Sequence, residues 1–333
     1  MSNRSLEIKG LNKNFHVGSI FLGKRIHAVE NASFSMNREE PWILSIVGES
    51  GCGKTTLARM LLRLLSPSSG TIMLNGEPLS HFASGNKRAF YKRVQMIAQN
   101  PFSAFNPRRM VESYLFETAH NLTDCKTRES ALALIEDMLN TVGMEYSQIK
   151  GKYPNQFSGG ELQRISVVRA MLPRPELIIA DEPVAMIDAS LRMNIVNTFK
   201  LLKENYKTNF VYITHDLSTA YYVSDFVAIM YRGNIIEFGP AEKVFTERSH
   251  PYTDLLISSI PTVGEKWEEG LALPEMESKE YLRKGCKLTK RCPYAQDICR
   301  RVFPAETAID DTHRVACHKY SGFAEPAAPP QKA

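Results

Sequence analysis

Gly48-Glu49-Ser50-Gly51-Cys52-Gly53-Lys54-Thr55 follows the apolar run Trp42 to Val47 and opens a stretch rich in Leu and Arg, Thr55 to Leu65. A buried strand, a glycine turn and a helix in that order decide the fold. A helix start leaves backbone N–H groups unpaired and carries the positive end of the helix dipole, so it attracts anions. In this loop the amides from Gly48 to Gly53 would wrap a β-phosphate, Lys54 would reach between β and γ, and Thr55, followed by Thr56, would offer a hydroxyl to Mg²⁺. Strand, spacing, Lys and Thr are all in place, which makes the match specific.

A second glycine turn, Phe157-Ser158-Gly159-Gly160-Glu161-Leu162-Gln163-Arg164, also feeds a helix. One nucleotide needs one cradle. A chain with two such turns is built so that two copies, or two relatives, share each nucleotide between them.

The remaining pattern supports an α/β domain. The runs Trp42 to Val47, Leu177 to Ala180 and Phe210 to Thr214 are nearly all apolar, as strands buried on both faces of a mostly parallel sheet require. Thr55 to Leu65, Asp188 to Tyr206 and Ala241 to Phe245 read as helices, with nucleotide expected at the carboxyl edge of the strands. Between about residues 106 and 171 the strand signal disappears. Arg128 to Val142 and Glu161 to Met171 read there as a helical insertion, with Lys152-Tyr153-Pro154-Asn155 as a turn. The expected division is a nucleotide-binding domain over 1–261, an extension over 262–320, and a Pro/Ala-rich disordered tail over 321–333, with Glu265 to Lys279 acidic.

Bulk composition bounds the function. With 333 residues, 43% apolar and 23% charged, the chain reads as an ordinary soluble globular protein of one large domain and an appendage, or of two domains. The net charge of +5 is spread without a dense Lys/Arg run, so nucleic acid is not an expected partner. No apolar run approaches the ~20 residues a bilayer span needs, and the start lacks a signal-peptide core. Any membrane role is expected to be peripheral, and the six cysteines are expected to be thiols or metal ligands.

Asp181 and Glu182 end the strand Leu177 to Ala180. Alone, such a pair reads as a solvated strand end; beside the phosphate loop, Asp181 suits Mg²⁺ through water, and Glu182 suits polarising an attacking water. Gln99 follows the strand Val94 to Ala98, and His215 follows Phe210 to Thr214, which delivers both side chains to the edge where a γ-phosphate would lie.

Together these residues resemble the ATP-binding-cassette (ABC) ATPases over about residues 6 to 261. The resemblance implies a P-loop NTPase fold with an N-terminal antiparallel β subdomain. It implies that Ser158, Gly159, Gly160 and Glu161 close over a nucleotide held by the opposite subunit. Glu182 is then the catalytic base, His215 the switch histidine and Gln99 the Q-loop residue, with Thr55, Gln99 and Asp181 serving Mg²⁺. Phe15 aligns with the aromatic that stacks on adenine. Two motifs depart from the family pattern. Phe157 and Glu161 replace the Leu and Gln of the signature, and Ala185-Met186-Ile187 precede Asp188 where Ser-Ala-Leu is usual, so inter-site coupling is expected to differ. A carboxylate facing a triphosphate would repel it, so Glu161 is expected to point aside.

His250-Pro251-Tyr252-Thr253 and Ser258-Ser259-Ile260-Pro261 resemble the close of the domain in the oligopeptide, dipeptide and nickel importers. Cys286, Cys292, Cys299 and Cys317 continue that resemblance, which implies a 4Fe–4S site. Four thiolates suit a cluster or a zinc equally, although the wide, uneven spacing is unlike zinc knuckles. Lys284, Lys287, Lys290, Arg291, Arg300 and Arg301 crowd these cysteines and are expected to favour thiolates. Cys52 and Cys125 read as plain thiols.

The resemblance implies an ATP-hydrolysing importer subunit at the cytoplasmic face of the inner membrane. Its partners would be a second, different ATPase chain, two membrane permease subunits and, through them, an extracytoplasmic solute-binding protein. The region from Gln99 to Tyr114 would face a permease coupling helix. The alternatives are a soluble cassette of translation or DNA repair and an exporter ATPase. The single cassette, the absence of heptads between residues 56 and 156, and the cysteine tail speak against them.

Overall fold

The computed structural model describes residues 4–17, 24–82, 86–259, 281 and 283–320. Ile260, Pro261, the acidic stretch Glu265 to Lys279 and the tail 321–333 lie outside the described residues.

The strands are β1 (Arg4–Val17), β2 (Lys24–Arg38), β3 (Ile43–Val47), β4 (Ser69–Leu74), β5 (Glu77–Pro78), β6 (Val94–Ile97), β7 (Leu177–Asp181), β8 (Asn209–Thr214), β9 (Phe226–Tyr231), β10 (Asn234–Pro240), β11 (Thr307–Ala308) and β12 (Arg314–Val315). The helices are α1 (Lys54–Leu61), α2 (Lys87–Arg93), α3 (Val111–Leu122), α4 (Arg128–Thr141), α5 (Tyr146–Ile149), α6 (Gly159–Met171), α7 (Ala189–Tyr206), α8 (Leu217–Val223), α9 (Ala241–Glu247), α10 (Pro251–Ser258) and α11 (Asp297–Arg301).

Two sheets form. One is antiparallel, in the order β2-β1-β4-β5; the other runs β11-β12-β10-β9-β3-β8-β7-β6. Within the larger sheet the pairs β9–β3, β3–β8, β8–β7 and β7–β6 are parallel. All five residues of β3 and of β7 are buried. That explains why these strands read as unbroken apolar runs rather than alternating ones: both faces are covered. On one side, Leu44, Ile46, Ile179 and Ile213 pack with Leu57 and Leu61 of α1 and with Leu6 and Ile8 of the antiparallel sheet. On the other, Ile43, Ile178 and Phe210 pack with Leu115, Ile135 and Ile165 of α3, α4 and α6 and with Phe199 of α7.

The expected helix Thr55 to Leu65 stops at Leu61, because Arg63 turns left-handed at φ 56° and Leu64 N–H bonds back to Arg59 O. The sequence reading also missed α3, whose buried face of Val111, Leu115 and Ala119 completes the helical insertion. The extension is not a detached appendage. Its strand β12 pairs with β10 at Glu237–Val315 and Phe238–Arg314, prolonging the main sheet.

Candidate functional site

Parallel strands deliver their carboxyl ends to one edge, where β3 runs into the phosphate loop, β7 ends in Asp181, and β6 and β8 lead to Gln99 and His215. The loop fits because its glycines are forced. A Cβ on Gly48 would lie 2.1 Å from the Met230 carbonyl oxygen. Gly53 has φ +112°, and a Cβ there would sit 2.3 Å from the Ala28 oxygen. Gly53 caps α1 with no side-chain hydrogen bond, so the first amides of this helix keep their donor capacity. Lys54 is 5% exposed, and its Nζ donates to the carbonyls of Gly48 (2.7 Å) and Glu49 (2.9 Å).

Thr55 Oγ1 donates to Asp181 Oδ1 at 3.4 Å, placing a hydroxyl and a carboxylate where a hard cation takes oxygen ligands. Burial pushes the Asp181 carboxyl above its ordinary range, opposed by the Thr55 hydrogen bond and reinforced by Glu182. Glu182 stands at φ 46°, and its N–H donates to Ile213 O at 2.8 Å. Gln99 Nε2 donates to Glu182 Oε2 at 3.0 Å, and His215 Nδ1 lies 3.1 Å from Oε1. Three strand ends therefore converge on one carboxylate.

The Ser158 turn is built differently. Ser158 Oγ accepts from Glu161 N, while Glu161 Oε2 accepts from both the N–H and the hydroxyl of Ser158 at 2.8 Å each. This capping box satisfies the amides of Ser158 and Glu161 within their own chain, and leaves those of Gly159 and Gly160 outside it. The same hydrogen bonds, led by that from the Ser158 backbone, hold the Glu161 carboxyl below its usual range. Glu161 thus folds back onto Ser158. Beneath the turn, Gly160 is packed by Leu191 and by Ile187, one of the departing residues, while Met186 is exposed. Gln163 is fully buried and donates to Ala98 O at 3.2 Å, tying α6 to the segment that carries Gln99.

Phe15 sits near the end of β1 with its ring 37% exposed and the Lys13 ammonium 5.4 Å from the ring centroid.

Cys286, Cys292, Cys299 and Cys317 line one cavity together with His250, Tyr294 and His318. The donor set suits a thiolate-bound metal group. The arrangement does not yet form a site: among the described residues no group of three or more His, Cys, Asp or Glu is placed to hold a metal ion. Four sulfurs on one zinc would stand about 3.8 Å apart, given Zn–S near 2.3 Å. The cavity is about 20 Å³, space for about one water. A cluster would therefore have to spread the thiols that now close on it. Burial works against the expected thiolate character at three of the four. Burial pushes Cys286 and Cys292 up to about 11, and Cys317 is raised too. Two of the basic residues assigned to the cysteines are spent elsewhere: Lys287 pairs with Glu30 at 3.2 Å, and Arg291 pairs with Glu49 at 3.0 Å.

Those pairs disclose what the sequence reading missed. Tyr252 Oη accepts from the Glu49 N–H at 3.1 Å, and Tyr281 Oη donates to Gly51 O at 2.7 Å. The motif His250-Pro251-Tyr252-Thr253 has a structural logic. His250 Nδ1 caps α10 by accepting from Tyr252 N–H, and burial holds this histidine down to about 3, so it stays neutral. Glu237, 1% exposed, accepts from the backbone of Ser249 and His250, from Thr253 and from His313 Nε2. The visible signal was the motif itself: His250 and Thr253 both bond to Glu237, and Tyr252 reaches Glu49.

A glycine loop between a buried strand and a helix, with Thr55, Asp181 and Glu182 gathered at its edge, defines a P-loop ATPase. The solved structures agree on the fold. The dimeric cassette MJ0796 in a post-hydrolysis state with ADP and Pi aligns at TM-score 0.61 and 21% identity, covering 71% of this chain and 98% of that one. CbiO1 from Clostridium perfringens aligns at 0.62 and 22%, covering 74% and 92%. The ABC transporter family profile matches residues 29–185, and the profile of the oligopeptide/dipeptide transporter C-terminal region matches residues 236–299. The chain is 36% identical over 326 residues to the oligopeptide transport ATP-binding protein AppF of Bacillus subtilis, covering 95% of this chain and 97% of the relative. With the di/tripeptide transport ATP-binding protein DppF of Pseudomonas aeruginosa it shares 34% over 322 residues, 96% and 98% of the two chains. The chain belongs to the ATP-binding subunits of ABC transporters, in the oligopeptide/dipeptide branch. It is an ATPase. Among the described residues no helix is long and apolar enough to cross a membrane.

Proposed function

We propose that this chain powers the import of peptides or a related small solute. It would work beside a second, different ATPase chain, beneath two permease subunits, on the cytoplasmic face of the inner membrane, with cargo delivered by an extracytoplasmic solute-binding protein. The observation that carries the catalytic half is the Glu182 carboxylate, held by Gln99 and His215 beside Thr55 and Asp181.

In this reading the amides of Gly48 to Gly53 and the Lys54 ammonium hold the triphosphate, and the exposed ring of Phe15 takes the adenine. Thr55, Gln99 and Asp181 would hold magnesium, which when bound draws charge off the phosphates. Glu182 accepts the proton of the attacking water. Gln99 and His215 fix the direction of its carboxylate, so that the cost of orientation is met before reaction. The Ser158–Glu161 turn closes on the nucleotide of the partner ATPase.

The transport half is supported by the relatives' names and by a groove of about 540 Å³ between α2, α3 and α6. Tyr91, Met96, Ser103, Glu117 and Arg169 line it, directly beside the Gln99 segment. An amphipathic permease helix fits such a surface. The extension would carry an iron–sulfur cluster, with zinc as the alternative; the four cysteines lining one cavity support a thiolate-bound group there.

Tagged chain purified from detergent-solubilised membranes tests the transport reading. Recovery with two integral membrane proteins and a distinct ATPase, and ATP hydrolysis stimulated by a peptide-loaded binding protein, is the expected result. Recovery with ribosomes or DNA, or only with itself, contradicts it. Iron and acid-labile sulfide in anaerobically purified protein test the cluster.

A further inference from the structure

The phosphate loop is gripped from outside by the extension. Arg291 lies one residue before Cys292, in the turn after Cys286, and 242 positions from its partner. Its Nη1 donates to Glu49 Oε1 at 3.0 Å and to Oε2 at 3.3 Å, while Nη2 donates to Oε1 at 3.0 Å. The guanidinium is 9% exposed and the Glu49 side chain 26%. Behind the fork stand Tyr231 and Tyr252, each with its ring centroid 5.9 Å from the guanidinium carbon. Tyr281 adds its hydrogen bond to Gly51 O at 2.7 Å, and its own ring lies 5.4 Å from the Arg232 guanidinium carbon. Leu288, in the same turn, packs with Val47 and Tyr252 under the loop.

This arrangement sets an electrostatic problem and its solution side by side. Glu49 is a carboxylate within a loop whose amides and lysine are otherwise suited to anions, and a nearby negative charge opposes a bound triphosphate. A two-pronged guanidinium contact both compensates that charge and fixes its direction, which lysine, a point charge, does not do. The extension thus supplies what the cassette lacks.

We propose that Arg291, assisted by Tyr281, is a positioning residue for the phosphate loop, so that the affinity of this subunit for ATP depends on the folded extension. The proposal rests on the reading that the Gly48–Thr55 loop holds the nucleotide. It links the cysteine cavity to the nucleotide site through Arg291, which directly precedes Cys292 in the chain.

The test is a double-mutant cycle on the purified full chain, with ATP and ADP affinities measured by calorimetry without magnesium. Arg291→Met should weaken ATP about tenfold, the equivalent of ~1.4 kcal/mol. In a Glu49→Gln background the same change should cost less than about twofold, since no carboxylate remains to be compensated. Arg291→Lys, which keeps the charge and loses the fork, should cost about threefold and carries the test if Arg291→Met does not fold. A purely structural role for Arg291 predicts equal losses in both backgrounds, and that result overturns the proposal, as does wild-type affinity in Arg291→Met or in Arg291→Lys. Lys54→Ala run in parallel separates the two ideas: if it too leaves ATP binding intact, the nucleotide reading of the loop fails rather than the clamp.

Discussion

The two glycine-rich turns begin their helices in different electrical states. At Gly53 the helix start has no side-chain cap, and a buried ammonium stands behind it, satisfied for the moment by carbonyls of its own loop. At Ser158 the start is closed by its own serine and glutamate. The first turn presents open donors to an anion. The second has answered its own backbone, so an anion arriving there must compete with Glu161 for the Ser158 donors. The difference teaches that two similar sequences can be prepared unequally: the first helix start keeps its donors open, and the second has tied its serine to its own glutamate.

The sharpest way to probe that inequality is at Glu182, the carboxylate proposed to act on the held nucleotide. Glu182→Gln should retain ATP binding while turnover falls at least about a hundredfold, since a general base is worth roughly 10²–10⁴. Phosphate release beside an ATP binding isotherm checks this, and near-normal turnover would remove Glu182 from its role. Lys54→Ala should weaken ATP by about ten- to a hundredfold, the equivalent of ~1.5–3 kcal/mol for hydrogen bonds to a charged group. Calorimetry reads this directly, and an unchanged affinity would place the cradle elsewhere.

Ser158→Ala opens the closed turn and should not change ATP affinity in the isolated chain. It should cost ~1 kcal/mol of stability through loss of the cap, seen as a few degrees in the unfolding temperature. A tenfold loss of ATP affinity in the isolated chain would mean that this turn serves its own subunit's nucleotide.

The smallest effect concerns the buried Asp181. Burial raises its folded pKa, so folding favours the protonated form, and the ionised carboxylate costs stability as pH rises from the unfolded pKa through the folded one. Asp181→Asn should therefore stabilise the nucleotide-free chain at pH 7 by ~1 kcal/mol. The gain should vanish below about pH 4, where the carboxyl is protonated in both states. Denaturant unfolding at both pH values checks the sign; a destabilised variant at pH 7 would contradict it.

Much of the cradle was legible in the sequence because it is local. Strand, turn, lysine and threonine occupy adjacent positions, and the unbroken apolar runs announced a sheet covered on both faces. Glu182 was legible as a strand-end carboxylate. Its two partners were expected at the same edge, but the hydrogen bonds that aim it come from positions 83 residues before and 33 after. The extension was the least legible. Nothing in the spacing of Arg291 announces a partner 242 positions away, and its neighbouring cysteines offered a nearer destination for the charge. The early end of α1 turns on Arg63, a residue with no local feature that marks a left-handed turn.

The most direct measurement is the structure of the assembled complex carrying Glu182→Gln, soaked with ATP in the absence of magnesium. The account predicts the Gly159 and Gly160 amides within about 3 Å of phosphate oxygens on the nucleotide of the partner ATPase, with the Ser158 hydroxyl turned from Glu161 toward them. A complex in which both nucleotides sit on their own loops alone, with the Ser158–Glu161 box still closed and facing solvent, would contradict it.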